Sequence, residues 1–148
     1  MRMSKHHPRA PHRDEFAKFQ TISLRWHDND AYGHVNNVVY YTFFDTAVNQ
    51  MLMEAGVLDL EKSKIVGFVV ETRCTYFSSL TYPGNAEIGV ACAHLGRSSA
   101  RYRIGVFAEG AERAAAVGDF TQVYVERGVQ KPVEIPPEAR AFLESLRR

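Results

Sequence analysis

Residues 37–55 read NVVYYTFFDTAVNQMLMEA. No proline or glycine interrupts the stretch, Asn36 or Asn37 can cap its start, and Gly56 stands where a helix would stop. The sequence therefore predicts a helix from about 37 to 55. Its apolar set is broad: Val38, Val39, Tyr40, Tyr41, Phe43, Phe44, Ala47, Val48, Met51 and Leu52, against a narrow polar stripe of Thr42, Asp45, Asn49 and Gln50. A helix apolar over most of its circumference must be wrapped by other structure.

The wrapping material lies on both sides of it. Upstream, FQTISLRW (19–26) alternates as a strand with Ile22, Leu24 and Trp26 on one face. Downstream, KIVGFVVETRCTYF (64–77) is rich in β-branched and aromatic residues and suits a strand buried on much of both faces. SSLTYPGN (78–85) carries turn chemistry. AEIGVACAHL (86–95) sets Ile88, Val90 and Cys92 on one face, with Gly89, Ala91 and Ala93 on the other, where a helix backbone or ligand could come close. ARYRIGVFAE (100–109) points Tyr102, Ile104 and Val106 to the core, and AAAVGDFTQVYVER (114–127) makes a last strand with a bulge expected near Gly118. IPPEARAFLESLRR (135–148) reads as a short helix with prolines in its first turn. Short connections imply antiparallel pairing. The expected fold is α+β: a curved antiparallel sheet of about five strands wrapping a long central helix.

The 148 residues suffice for one well-packed domain. Net charge is +1, which gives no field for nucleic acid, and no apolar run approaches a membrane span. The start, MRMSKHHPRAPHRDEF, lacks the apolar core of a signal peptide, so a cytoplasmic location is expected. Residues 1–17 read as a disordered basic tail and 18–148 as a single domain. Cys74 and Cys92, each in a strand-like run, are expected as thiols rather than a disulfide, and no Cys/His spacing suits zinc. His6, His7 and His12 give the tail a weak metal-binding character.

Ahead of the helix stands RWHDNDAYGHVN (25–36), with two aspartates, two histidines, a glycine and two asparagines at the mouth of the most apolar segment. The pattern DNDAYGHVNN, running into an aromatic-rich helix and followed later by LGRSS between two strands, resembles the hotdog-fold acyl-CoA thioesterases, in particular the 4-hydroxybenzoyl-CoA thioesterase-like family. The resemblance spans about 19–127. It implies a hotdog domain that forms homodimers, often homotetramers, and cleaves acyl-CoA or acyl-carrier-protein thioesters without a metal or cofactor, coenzyme A entering only as part of the substrate.

By that resemblance the catalytic carboxylate falls on Asp30, acting as nucleophile or as general base toward water. The first free N–H groups of a buried helix, with the positive end of its dipole, form an anion site. The family places its oxyanion donor there, at the backbone N–H of Asn37 or a neighbour. Asp28 reads as a loop-holding residue, and Gly33 as a position whose conformation other residues avoid. His34 orients the thioester, assists the leaving thiolate, or is a buried histidine bonded to a loop carbonyl. Asp45 sits in the polar stripe of the helix, from which another hotdog branch draws its carboxylate. Arg97, Ser98 and Ser99 match the turn that contacts the pantetheine or nucleotide of coenzyme A. Arg101 and Arg103 extend that basic surface or form a solvated face, and Arg73, breaking an apolar run, calls for a partner such as Glu71 across an interface. Tyr32, Tyr40, Phe44 and Phe68 are candidates for the acyl pocket. Two other functions fit the same fold: an acyl-thioester hydratase using Asp30 with His34, and a non-catalytic binder of acyl thioesters.

Overall fold

A computed structural model describes residues 9–148. Five strands form one antiparallel sheet in the order β1-β3-β4-β5-β2: β1 Lys18–Ser23, β2 Ile65–Tyr76, β3 Asn85–Leu95, β4 Ser99–Ala108 and β5 Ala116–Glu126. The helix α1, Val39–Glu54, lies against its inner face, and α2, Pro137–Ser145, closes one end. The α+β expectation holds, with α1 at 16 residues.

Alternation in the strands becomes a cross-strand ladder. Ile88, Val90 and Cys92 of β3 pair with Val106, Ile104 and Tyr102 of β4, and all six are buried. Onto them packs a single stripe of α1: Tyr40, Phe43, Phe44, Ala47, Val48, Met51 and Leu52. These recur at the three- and four-residue spacing of one helix face. The all-round wrapping expected from the sequence is therefore not complete in one chain, because Val38, Tyr41 and Met53 stay exposed.

Four local expectations are corrected. Trp26 does not join the core face of β1; the strand ends at Ser23, and a 3-10 turn over Trp26–Asp28 leaves that ring 82% exposed. β2 is not buried on both faces, because it is an edge strand paired only with β5, and Phe68, Val69, Val70 and Arg73 are exposed. β5 pairs regularly through Gly118; the register shifts fall instead at Val69/Glu71 and Cys92/His94. At Gly118 a side chain would run into the Phe44 ring and lie 2.8 Å from the Arg73 carbonyl oxygen, so glycine is there to admit the helix.

The fourth correction concerns the tail. Residues 1–8, with His6 and His7, lie outside the described residues. Residues 9–17 are not disordered. His12 bridges to Arg113, a 3-10 turn spans Arg13–Glu15, and Phe16 is buried on the outer face of the sheet. Its ring fills the slot between Gly89 and Gly105, which face each other in register; a Cβ at either would come within 3 Å of it. The small residues on that face of β3 thus receive an aromatic ring from the tail. Arg13 binds Glu87 at 2.8 Å and stacks on Phe19 and Phe107, while Arg103 pairs with Glu15 at 3.1 Å and stacks on Phe16. Arg103 is therefore engaged by the tail. Cys74 and Cys92 are both thiols. No described helix is long and apolar enough to cross a membrane.

Candidate active site

The chain between β1 and α1 is folded by its polar residues. Asp28, 2% exposed, accepts the Arg25 backbone N–H at 2.7 Å and two guanidinium donors of Arg25, Nη2 at 2.9 Å and Nε at 3.1 Å, which closes the 3-10 turn. Asp30 then makes a tight loop. Its Oδ1 accepts the Tyr32 N–H at 2.8 Å, its carbonyl accepts the Gly33 N–H, and its own N–H donates to the His34 carbonyl. Gly33 takes φ +80°, the left-handed region that glycine tolerates best.

The chain then enters α1 with its backbone donors almost all engaged. The Val35 N–H goes to the Leu80 carbonyl, Asn36 to Asp28, Val38 to the Asn36 side-chain oxygen and Val39 to the Asn36 carbonyl. Within residues 35–39 only the Asn37 N–H has no acceptor among the described residues. Asn36, rather than Asn37, supplies the side-chain hydrogen bond at the helix start. The Asn37 carbonyl is also held: the Tyr76 hydroxyl donates to it at 2.7 Å. Loss of hydration pushes the Tyr76 phenol well above its usual range, so it stays protonated and donating at any physiological pH.

These groups border one cleft of about 350 Å³, lined by Asp30, His34, Val35, Asn37, Tyr40, Tyr76 and the 77–79 segment. Of the residues singled out in the sequence, Asp30, His34, Asn37 and Tyr40 converge here. His34 is exposed at the cleft rather than buried against a loop carbonyl. Tyr32, 86% exposed, and Gly33 lie on the loop beside it without lining it. Phe44 is sealed in the core, Phe68 sits on the outer strand, and Asp45 is exposed on α1, bonded to Asn49. Arg97, Ser98 and Ser99 lie at the other end of the sheet. Asp30 follows the Ser23 end of β1, which pairs with Asn85, whereas the 96–98 turn follows Leu95, ten residues further along β3. At about 3.3 Å per residue that separation is roughly 30 Å. The turn is held by Arg140, which donates to the Gly96 and Arg97 carbonyls.

Tyr76, Ser78 and Ser79 were not singled out from the sequence. Tyr76 reads as the last residue of an apolar strand, and the serines read as turn formers. The clustering of hydroxyls in TYFSS was the only local sign of a polar wall. Among the described residues no group of three or more His, Cys, Asp or Glu side chains converges on a metal position.

A carboxylate and an unspent backbone amide on residues that border one cleft at a helix start can act together on a carbonyl group. Comparison with known proteins gives the family. The profile of the thioesterase-like superfamily matches residues 24–143. The chain belongs to that superfamily, and its sheet wrapped about one helix is the hotdog fold.

Among solved structures, the PA5185 protein from Pseudomonas aeruginosa strain PAO1 is 49% identical, with a TM-score of 0.91 over 95% of this chain and 97% of that one. The PA2801 protein from Pseudomonas aeruginosa is 24% identical, with a TM-score of 0.78 over 86% and 98%. A DHNA-CoA thioesterase from Staphylococcus aureus is 22% identical, with a TM-score of 0.74 over 86% of each chain. The last two share the fold. No curated protein matches the chain.

Proposed function

We propose that this chain is an acyl-CoA thioesterase that hydrolyses an acyl-CoA, or an acyl-carrier-protein thioester, to free acid and thiol. The reading is carried by one observation: Asp30 and the unspent Asn37 N–H border the same cleft at the mouth of α1. The thioester carbonyl lies between them. Its oxygen takes the Asn37 N–H as negative charge develops, helped by the positive end of the helix. Asp30 either attacks the carbonyl carbon, expelling the thiolate and leaving an acyl anhydride for water to cleave, or takes a proton from water as that water attacks. In both routes the C–S bond breaks and the thiolate ends as the thiol. His34 lines the same cleft and orients the thioester.

A second copy completes the site in this reading. β2 is an open edge with three apolar residues exposed in a row, Phe68, Val69 and Val70, and Val38, just ahead of α1, and Tyr41 on it are uncovered as well. Such an edge calls for a partner strand. Antiparallel pairing of β2 with its copy sets the Ile65 end of one chain against the Tyr76 end of the other. Arg97, Ser98 and Ser99 of the partner subunit then come to the cleft end of the joined sheet, where they meet the phosphates of coenzyme A.

The test is thiol release from a panel of acyl-CoAs differing in chain length and aromaticity. The wild type releases free CoA from at least one of them, and Asp30→Ala loses about 100-fold or more of kcat, with circular dichroism and Tm unchanged. Near-wild-type turnover by that variant would remove Asp30 from the role. Disappearance of the conjugated double bond of an enoyl-CoA, with no CoA released, would instead establish a hydratase.

A further inference from the structure

Building on the thioesterase reading and its paired β2 strands, we infer that Gln122 is a specificity-determining residue of the reaction. Its carboxamide stands in a pocket at the far end of α1, which receives the distal end of an acyl group carrying one uncharged hydrogen-bonding group, a hydroxyl above all.

The strand pattern makes Gln122 an anomaly. The inward positions of β5 run Gly118, Phe120, Gln122 and Tyr124, and the polar one among them is 2% exposed. Its carboxamide oxygen has no hydrogen-bond partner among the described residues. A buried amide without a partner is costly and therefore rare in folded proteins. Room for it is built into the neighbouring strand: at Gly67 a Cβ would lie 2.6 Å from that oxygen. The fold thus keeps space for an amide that it does not itself use.

Gln122 and Gly67 line a pocket of about 140 Å³ between the last turns of α1, the 57–60 segment and the start of β2. A cavity of that size admits a benzene-sized molecule. Leu52, Val57, Leu58, Leu60 and Ile65 make its wall apolar. The other polar side chains that reach it have partners of their own. Asn49 donates to the Asp45 carbonyl and carboxylate, Arg127 donates to the Leu60 and Ser63 carbonyls, and the Tyr124 hydroxyl lies beside that of Tyr102. Arg127 thereby pins the segment that walls the pocket. With that cation spent on backbone and no carboxylate in the lining, the pocket suits an uncharged guest. Gln122 offers the guest both an acceptor and a donor.

Within one chain this pocket is remote from the cleft. Gly67 and Tyr76 lie towards opposite ends of β2, roughly 30 Å apart at about 3.3 Å per residue. Antiparallel pairing of β2 with its copy carries the Gly67 end of one chain to the Tyr76 end of the other. The pocket of one chain then adjoins the cleft of its partner. The thioester sits at Asp30 of one chain while its acyl end enters the pocket of the other.

Matched acyl-CoA pairs test this: phenylacetyl against 4-hydroxyphenylacetyl, and hexanoyl against 6-hydroxyhexanoyl. The wild type is expected to favour the hydroxylated member of at least one pair by about tenfold in kcat/KM, the scale of one neutral hydrogen bond. In Gln122→Met, a swap of similar volume, that ratio falls to within about twofold of one while Tm holds or rises, because an unpaired buried amide is gone. Gly67→Ala keeps the glutamine but displaces its amide, and lowers the ratio as well. A mixed dimer of Asp30→Ala and Gln122→Met chains decides which cleft the pocket serves. Its one intact Asp30 lies on the chain that lacks Gln122, so the wild-type ratio is expected to persist; loss of the ratio there overturns the inference. So does a wild type without preference in either pair, an unchanged ratio in Gln122→Met, or a protein that is monomeric in light scattering. Phenol binding gives a readout independent of turnover. Phenol, and not benzene, is expected to shift the Gln122 side-chain amide resonances in the nitrogen-15 spectrum. If the wild type cleaves no acyl-CoA, the thioesterase reading fails and phenol alone decides the pocket, an unmoved Gln122 amide overturning it.

Discussion

Asp28 and Asp30 stand two positions apart and end in opposite surroundings. Asp28 is buried and spends its oxygens on the Arg25 backbone and guanidinium, while Asp30 turns one oxygen to the Tyr32 amide and borders the cleft. Asp28→Ala is expected to cost about 1.5–3 kcal/mol in urea denaturation, because charge-assisted bonds are lost from a buried turn. The asparagines divide similarly. Asn36→Ala removes the acceptor of the Val38 N–H and is expected to lower both Tm and kcat. Asn37→Ala keeps the backbone donor and should leave kcat within about threefold. A large kcat loss in Asn37→Ala alone would mean that its side chain, not its amide, does the work. The polar cluster of 25–36 is visible in the sequence, and the resemblance assigns roles within it. The partners are not visible: Asp28 meets Arg25 locally, but Asn37 meets Tyr76 from another strand.

At the scale of elements, α1 fits the sheet because Gly118 makes room for Phe44. Gly118→Ala is expected to destabilise the fold by about 1–3 kcal/mol through overpacking. The effect should shrink in a Phe44→Leu background, since residues in contact are not additive. Equal losses in both backgrounds would show that the clash lies with the Arg73 carbonyl instead. The sequence marked Gly118 as unusual and suggested a bulge, the usual reading of a lone strand glycine. Only the crossing of helix and sheet shows that the missing side chain is a packing device. The same limit applies to β2, whose apolar run describes a buried strand equally well as an edge strand with its apolar residues exposed.

At the scale of the whole molecule, residues 9–17 and the open edge decide what the single domain does with its surfaces. Phe16→Ala should cost about 3–5 kcal/mol, as for other buried aromatic rings. The ties of the tail also depend on pH. Hydrogen bonding from the Gly110 amide, and then Arg13, holds the Glu87 carboxyl below its usual range. A depressed carboxylate stabilises above its unfolded pKa of about 4.5 and loses that contribution as pH falls through its folded value. Asp14 chiefly, with Glu112, raises His12, which therefore stabilises below its unfolded pKa of about 6.5 and loses its contribution as pH rises through the folded value. Tm should fall as pH drops below about 4.5, less steeply in Glu87→Gln. A slope unchanged in that variant would place the acid sensitivity elsewhere. For the open edge, Val70→Lys is expected to convert a dimer to monomer in light scattering and to reduce thioesterase activity together with assembly. A fully active monomer would show that the cleft is complete in one chain.

Taken alone, the sequence determined a helix too apolar to stand free, strands of alternating pattern around it, a polar knot at the helix start, and the chemistry that the resemblance attaches to that knot. These are local properties, set by the spacing of side chains along a few turns or a few strand residues. The tertiary structure decided which face of α1 is covered and that β2 lies at the edge. It also decided that Phe16 fills a slot made by two facing glycines, and that the Tyr76 hydroxyl reaches the Asn37 carbonyl. Each of these depends on contacts between residues tens of positions apart, and the pattern of one segment does not encode where another will cross it.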